Sequence, residues 1–265
     1  AAPQTESAFA TPEETDAVDD LAAPNETAND EQTGPAAVPP IAAFAVDFEN
    51  PDDKPLMSIV LIDDGADISN GPVGVAALSS FPYPLSFAVQ SDLPDAAERA
   101  ANYRAEGFEV LSMIDLNTGA SAEQAATRIA QGLSRVPEAV GVLEGTGIGM
   151  QENDALAEQV NQNFATSGHG VLFQNKGLNT AQKLAQRDGI PSAVVFRDFD
   201  SAGQTPSVIR RFLDQAAFRA GQEGGVVMLG RLRPDTISAL LLWGLADRST
   251  QVALAPVSAV LTRQQ

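Results

Sequence analysis

The sequence predicts an α/β fold built on parallel strands, preceded by an acidic tether. Three observations predict it. From Leu56 onward, eight short apolar runs recur, each closed by Gly, Pro, Asp or Asn, as buried parallel strands are. Longer amphipathic stretches separate the runs, and strand–helix alternation of this kind joins parallel strands through crossover helices. Residues 1–55 share neither feature: thirteen acidic residues stand there against the single base Lys54, with 8 of the 17 prolines. Chain of that kind buries too little apolar surface to offset its conformational entropy, so residues 1–54 are expected to be a disordered, self-repelling spacer and 55–265 the folded domain.

In chain order, the predicted strands are Leu56–Ile62, Leu85–Val89, Glu109–Met113, Ala139–Val142, Gly170–Phe173, Ser192–Phe196, Gly225–Leu229 and Gln251–Leu254. The predicted helices begin with Ala-rich Leu93–Glu106. Ala122–Ser134 follows, with Ile129 and Leu133 four apart and Ser121 placed to cap it. Asn153–Thr166 carries Leu156, Val160 and Phe164 at steps of four, and Thr180–Arg187 is short. Pro206–Gly221 carries Ile209, Leu213, Ala216 and Ala217, and the strongly apolar Asp235–Leu245 is expected to be covered on more than one side. No repeat of fixed period is present. Eight short strands can close into a barrel or stay open, and the pattern does not separate the two.

Composition excludes several chemistries. With no Cys, one His and a net charge of −19, the chain has no thiolate metal site, no disulfide, no cysteine nucleophile and no pair of His ligands. The folded part carries 22 acids and 15 bases, a balance that argues against binding a phosphate backbone. No run of about 20 apolar residues is present to span a membrane. No signal peptide is visible, although a tether beginning Ala1-Ala2-Pro3 suggests that a signal or anchor helix has been lost from its start.

In α/β folds, reactive groups stand at the carboxyl ends of strands. The chain places Asp63-Asp64-Gly65, Asp115, Glu144, Asn175-Lys176, Arg197-Asp198-Phe199-Asp200 and Arg231-Leu232-Arg233 there. Asp63-Asp64 is the best local signal: adjacent residues of an extended chain point to opposite sides, so one can face the rim centre while the other braces backbone amides or an Arg. Capping of the following turn explains the pair equally well. Gathered carboxylates can hold a hard cation or share a proton. Gly145–Gly149 lacks the Gly-Lys-Ser/Thr ending of a phosphate loop. His169 precedes a strand, at the end away from the chemistry, and Ser112, Thr146 and Ser201 have no His nearby to serve as base.

These strand ends resemble the divergent polysaccharide deacetylase family, a branch of the NodB-like carbohydrate deacetylases. The resemblance covers about residues 55–262. It rests on Ile59-Val60-Leu61-Ile62-Asp63-Asp64-Gly65, Pro84-Leu85-Ser86-Phe87-Ala88-Val89, Gly107-Phe108-Glu109-Val110-Leu111 and Val136-Pro137-Glu138-Ala139-Val140-Gly141-Val142. Arg197-Asp198-Phe199-Asp200 and Ala255-Pro256-Val257-Ser258 are looser matches. The resemblance implies a distorted (β/α) barrel of seven to eight strands in the periplasm or cell envelope, behind an N-terminal anchor or signal at the inner membrane. The chemistry it implies is metal-assisted removal of an acetyl group from a glycan, with a strand-end Asp and His side chains on the metal and a neighbouring Asp as base.

The departures fall on the His positions. Where the family has Asn-His-Met-Gly-Ser, Leu-His-Leu-Pro-Met-Glu and Gly-His-Pro, this chain has Leu143-Glu144-Gly145-Thr146-Gly147, Leu111-Ser112-Met113-Ile114-Asp115 and Gly230-Arg231-Leu232-Arg233-Pro234. Where the family has Leu-Asp-Ser, it has Gln174-Asn175-Lys176. Oxygen ligands alone hold zinc-like ions weakly. The leading expectation is therefore a catalytically degenerate member with no cofactor that binds an envelope glycan or protein. In it, Lys176, Arg197, Arg231 and Arg233 pair with the vacated acids or receive an anionic sugar, and Asp115, Glu144, Asn175, Arg197, Asp198 and Arg231 line the rim. The alternatives are an active hydrolase, with Asp63 and Asp64 catalytic and Asp63, Asp64, Asp115 and Glu144 around Mg²⁺, Mn²⁺ or Ca²⁺, and a tethered interaction scaffold.

Overall fold

The computed structural model describes residues 38–263 apart from 70 and 148. Eight strands are present: β1 (Leu56–Asp63), β2 (Ser86–Gln90), β3 (Glu109–Ile114), β4 (Gly141–Glu144), β5 (Gly170–Phe173), β6 (Ser192–Asp198), β7 (Gly225–Arg231) and β8 (Ala253–Leu254). The helices are α1 (Pro40–Ala43), α2 (Val75–Leu78), α3 (Ala96–Ala105), α4 (Ala122–Arg135), α5 (Asp154–Ser167), α6 (Thr180–Arg187), α7 (Pro206–Glu223), α8 (Pro234–Gly244) and α9 (Val257–Arg263).

Strands β1 to β7 pair in sequence order, all in parallel, and β1 pairs with both β7 and β2, which closes a seven-stranded barrel. Closure is uneven. The carboxyl half of β1, Val60 to Asp63, pairs with β2, whereas Leu56 and Met57 pair with Ala253 and Leu254 of β8. The barrel is thus split at its amino end, with β8 filling the gap. This is the distorted barrel that the resemblance implies and that periodicity alone left undecided.

The strands carry apolar residues on both faces because both faces are covered. Val60, Ile62, Leu111, Met113, Leu172, Val195 and Leu229 pack inside the barrel. Met57, Ile59, Leu61, Phe87, Val110 and Met228 face outward against α3, α7 and α8, and Val142, Val171 and Phe173 face α4, α5 and α6. Strand limits differ from the sequence expectation by one or two residues in most cases. Alternation continues past the last apolar residue, so polar residues such as Gln90, Asp198 and Arg231 still belong to their strands. Helix α4 begins at Ser121 with a capping box, in which the Ser121 hydroxyl accepts from the Gln124 N–H and the Gln124 side chain from the Ser121 N–H.

The expected tether is shorter at its carboxyl end, because residues 38–54 are part of the domain. Ile41 is buried, Phe44 and Phe48 pack against the barrel-interior cluster, and the Ile41 N–H donates to the Gly168 carbonyl. A few apolar side chains from 38 to 48 supply the burial that the acidic composition of the whole segment obscured. Residues 1–37 of that expectation lie outside the described residues. Among the described residues, no helix is long and apolar enough to cross a membrane.

Glu109 ties this strap to the barrel base. It points inward from the amino end of β3, is buried, and accepts from the Val46 N–H (2.9 Å), the Ser258 N–H (2.9 Å) and the Ser258 hydroxyl (2.5 Å). Burial raises its carboxyl above the ordinary 4.5, although these hydrogen bonds pull the other way. Protonation therefore favours the folded state. Glu109's contribution to stability is fully present below pH 4.5 and is lost as pH rises through the raised native value. Between pH 7 and pH 5 the stability of the wild type is expected to move upward relative to Glu109→Gln. Urea titrations of both proteins at the two pH values check this, and a constant difference would contradict it.

Candidate functional site

The barrel's alternation sets which side chains meet at the carboxyl-end rim. Continuing the inward series of each strand places Gln90, Asp115, Gln174, Asp198 and Arg231 at the top of the barrel. Arg231 fills this layer. Its guanidinium makes a bidentate pair with Asp198 (2.8 and 3.0 Å) and a further bond to Asp200 (2.9 Å). Asp200 also accepts from the Arg231 N–H and the Thr236 hydroxyl. These hydrogen bonds, Asp198 first, raise the Arg231 guanidinium further into its protonated range against the effect of burial. Asp115 accepts from the Gln90 amide at 3.2 Å.

Asp63 belongs to the outward series of β1 with Ile59 and Leu61. It points away from the rim centre toward α3, where it is fully buried. Arg99 Nη1 lies 3.0 and 3.1 Å from its two oxygens, the Tyr103 hydroxyl donates at 2.9 Å and the Gly65 N–H at 3.1 Å. Arg99 and Tyr103 lie four residues apart on α3, so one helix face delivers both. Burial, and then the Asp63 charge, push the Tyr103 phenol up, so it stays a donor. Burial opposes the charge of Arg99, but its bonds to Asp95 and Asp63 outweigh it. Asp64 is exposed at the strand end.

Glu144 also faces out of the barrel and is fully buried. It accepts from the Met150 N–H (2.7 Å), the Gln151 amide (2.6 Å), the Gln174 N–H (2.8 Å) and Lys176 Nζ (3.4 Å). The glycine-rich loop explains itself here. A Cβ on Gly149, at φ 71°, would stand 2.3 Å from a Glu144 oxygen, and one on Gly145 would overlap the Asp115 carboxylate. The glycines let the loop close over both acids.

Two expected rim residues are elsewhere. A β-bulge between Val195 and Arg197 turns Arg197 to the outer wall, where its guanidinium lies 4.5 Å from the Phe212 ring of α7. Asn175 lines a cleft between α6 and α7 with Asn179, Gln182 and Arg219. Arg233 donates to the Asp200 carbonyl. His169 stands half-buried at the amino end of β5. Four residues that build the site were missed. Gln90 ends the second strand, a strand end not read for polar residues. Arg99 and Tyr103 carry the four-residue spacing of one helix face, a detectable signal. Gln151 carried none, because its loop conformation depends on Glu144.

The site does not fit the divalent metal that the family's chemistry implies. No His stands at the carboxyl end of a strand, Asp63 and Glu144 turn outward and are fully engaged, and Arg231 takes Asp198 and Asp200. Among the described residues, no three of His, Cys, Asp and Glu gather in a way that could hold an ion.

The structure is similar to that of an uncharacterized protein from Agrobacterium tumefaciens, with a TM-score of 0.75 at 17% identity, covering 86% of this chain and 97% of that one. It is also similar to a putative cellobiose-phosphate cleavage protein from Enterococcus faecalis (TM-score 0.56, 11% identity, 78% and 99% covered). A third likeness is to a lactam utilization protein from Thermus thermophilus (TM-score 0.50, 13% identity, 75% and 99% covered). At these identities the likenesses establish the barrel fold. No curated protein matches the sequence. The model of the divergent polysaccharide deacetylases matches residues 60–261, from within β1 to within α9. The chain belongs to the divergent polysaccharide deacetylase family.

Proposed function

We propose that this protein is a catalytically degenerate member of its family, kept in the periplasm or cell envelope to bind a glycan or an envelope protein. One observation carries the reading: cationic side chains of the chain itself neutralise the acids that a metal would need. Arg99 holds Asp63, Lys176 reaches Glu144, and Arg231 spans Asp198 and Asp200. A hard cation would have to displace the Arg99 guanidinium from buried Asp63 or break four hydrogen bonds at Glu144. Either exchange leaves a buried charge or amide unpaired. Asp64 and Asp115 remain, and among the described residues no third carboxylate gathers with them.

Metal analysis of the purified protein tests this, together with acetate release from acetylated chito-oligosaccharides in the presence of added Zn²⁺, Co²⁺ or Mn²⁺. The expected result is far less than one equivalent of metal and no acetate above a protein-free control. A stoichiometric ion, or acetate release that disappears in Asp64→Asn, overturns the reading in favour of an active hydrolase.

A further inference from the structure

One groove lies beside the rim. It has a volume of about 830 Å³ and runs between the exposed face of α4 and the segments that follow β2 and β3. That volume is within the range of pockets that hold small ligands. The groove has two ends of different chemistry. Its wall carries Asp115, Asn117, Glu123 and Gln124 on one side and Asp92, Arg128 and Arg135 on the other. Residues 124, 128, 131 and 135 follow helical spacing, so α4 presents a continuous row of side-chain amides and guanidiniums to the groove.

The basic end is under-neutralised. Arg128 Nη2 contacts Asp92 Oδ2 at 2.5 Å, and Arg135 Nη1 reaches the other oxygen of the same carboxylate at 3.5 Å. Two guanidiniums therefore share one acid, in a chain whose net charge is −19. Arg135 is held loosely, since its bond to the Ser91 carbonyl is 3.4 Å and its side chain is 54% exposed. A guanidinium offers five N–H donors in a fork that fits a carboxylate, and the contacts of Arg135 with Ser91 and Asp92 both run through Nη1. Exposed ion pairs add about 0–1 kcal/mol to stability, so folding gives little reason for two arginines here.

We propose that this groove binds an acidic oligosaccharide. Arg128 and Arg135 take the carboxylate of an acidic sugar, and Gln124, Gln131, Thr127 and Asn117 hydrogen-bond the hydroxyl and acetamido groups of neighbouring rings. The proposal rests on the glycan-binding reading above and names the class of glycan and the surface. Both a uronic acid and a lactyl-substituted amino sugar carry the carboxylate it requires.

Calorimetric titration of the full chain with three probes tests it: tri-galacturonate, the N-acetylglucosamine–N-acetylmuramic acid disaccharide, and neutral chitotriose. At least one acidic probe is expected to bind tenfold or more tightly than chitotriose, and more weakly as salt is raised. The tighter of the two identifies the acid. The Arg128→Gln/Arg135→Gln double variant, which gives up only contacts to Asp92 and the Ser91 carbonyl, is expected to lose tenfold or more for that probe while its melting temperature stays within a few degrees. Equal binding of acidic and neutral probes, or acidic binding that survives the double variant, overturns the groove and leaves the wider glycan reading standing. Absence of binding by all three overturns the groove and removes the glycan arm of that reading, leaving an envelope protein as the partner.

Discussion

Arg99→Ala is expected to lower stability by about 3–5 kcal/mol, the range seen when a buried ion pair loses one partner. The loss arises from Asp63, which is fully buried and would keep only the Tyr103 hydroxyl and the Gly65 N–H. For a domain of this size that corresponds to a fall of roughly 10 °C in melting temperature. Arg99→Lys does not rescue it, because an ammonium cannot span both Asp63 oxygens, the Ala66 carbonyl and Asp95 as the guanidinium does. Asp63→Asn should cost less than half as much, since it removes the buried charge that Arg99 otherwise balances and Arg99 retains Asp95. Thermal and urea unfolding of the three variants checks the order. If Asp63→Asn cost more than Arg99→Ala, the pair would not be organised around burial of the carboxylate.

The second large effect is expected at Glu144. Glu144→Ala leaves the Met150 and Gln174 N–H groups without their buried acceptor and frees Gln151 and Lys176 from the carboxylate. Two unmet buried donors and a lost charge-assisted contact together amount to about 3–5 kcal/mol. Glu144→Gln keeps one acceptor oxygen and is expected to lose about half as much. The two acids differ in where the damage appears. Amide exchange in Glu144→Ala should accelerate across 145–151 and around Gln174, while the strand pair β1–β2 keeps its protection. In Arg99→Ala, exchange should rise around β1 and α3 instead. Uniform loss of protection in both variants would mean that the rim has no separate loop clasp.

Apolar runs and helix periodicity make the strands and helices legible in the sequence, but closure of the barrel is legible only through the family resemblance. Ser192 to Phe196 read as a strand because its burial is periodic, but the bulge that turns Arg197 outward leaves no trace in periodicity, so Arg197 was assigned to the rim. The strap at 38–48 was hidden for a compositional reason: Ile41, Phe44, Val46 and Phe48 sit within a strongly acidic stretch, and an average over 55 residues dilutes them. The acids themselves are visible at four strand ends, as Asp63-Asp64, Asp115, Glu144 and Asp198 with Asp200, whereas their pairing is not. Whether a strand-end carboxylate faces a cation, a helix or water depends on one residue of register, and register is fixed by pairing across the closed barrel. The loss of His was the most informative signal, because it was read from identity and needed no geometry.

The strap enters the barrel beside Gly168, at the mouth opposite the strand ends that carry Arg231 and Asp115. An affinity handle or sensor-chip linkage placed directly ahead of Val38 therefore attaches at the floor of the barrel and leaves the carboxyl-end rim toward solution. A label fused after Arg263 shares that floor, since α9 packs against Ile41 there. Display formats that hold the domain at Val38 or at Arg263 keep the same face outward.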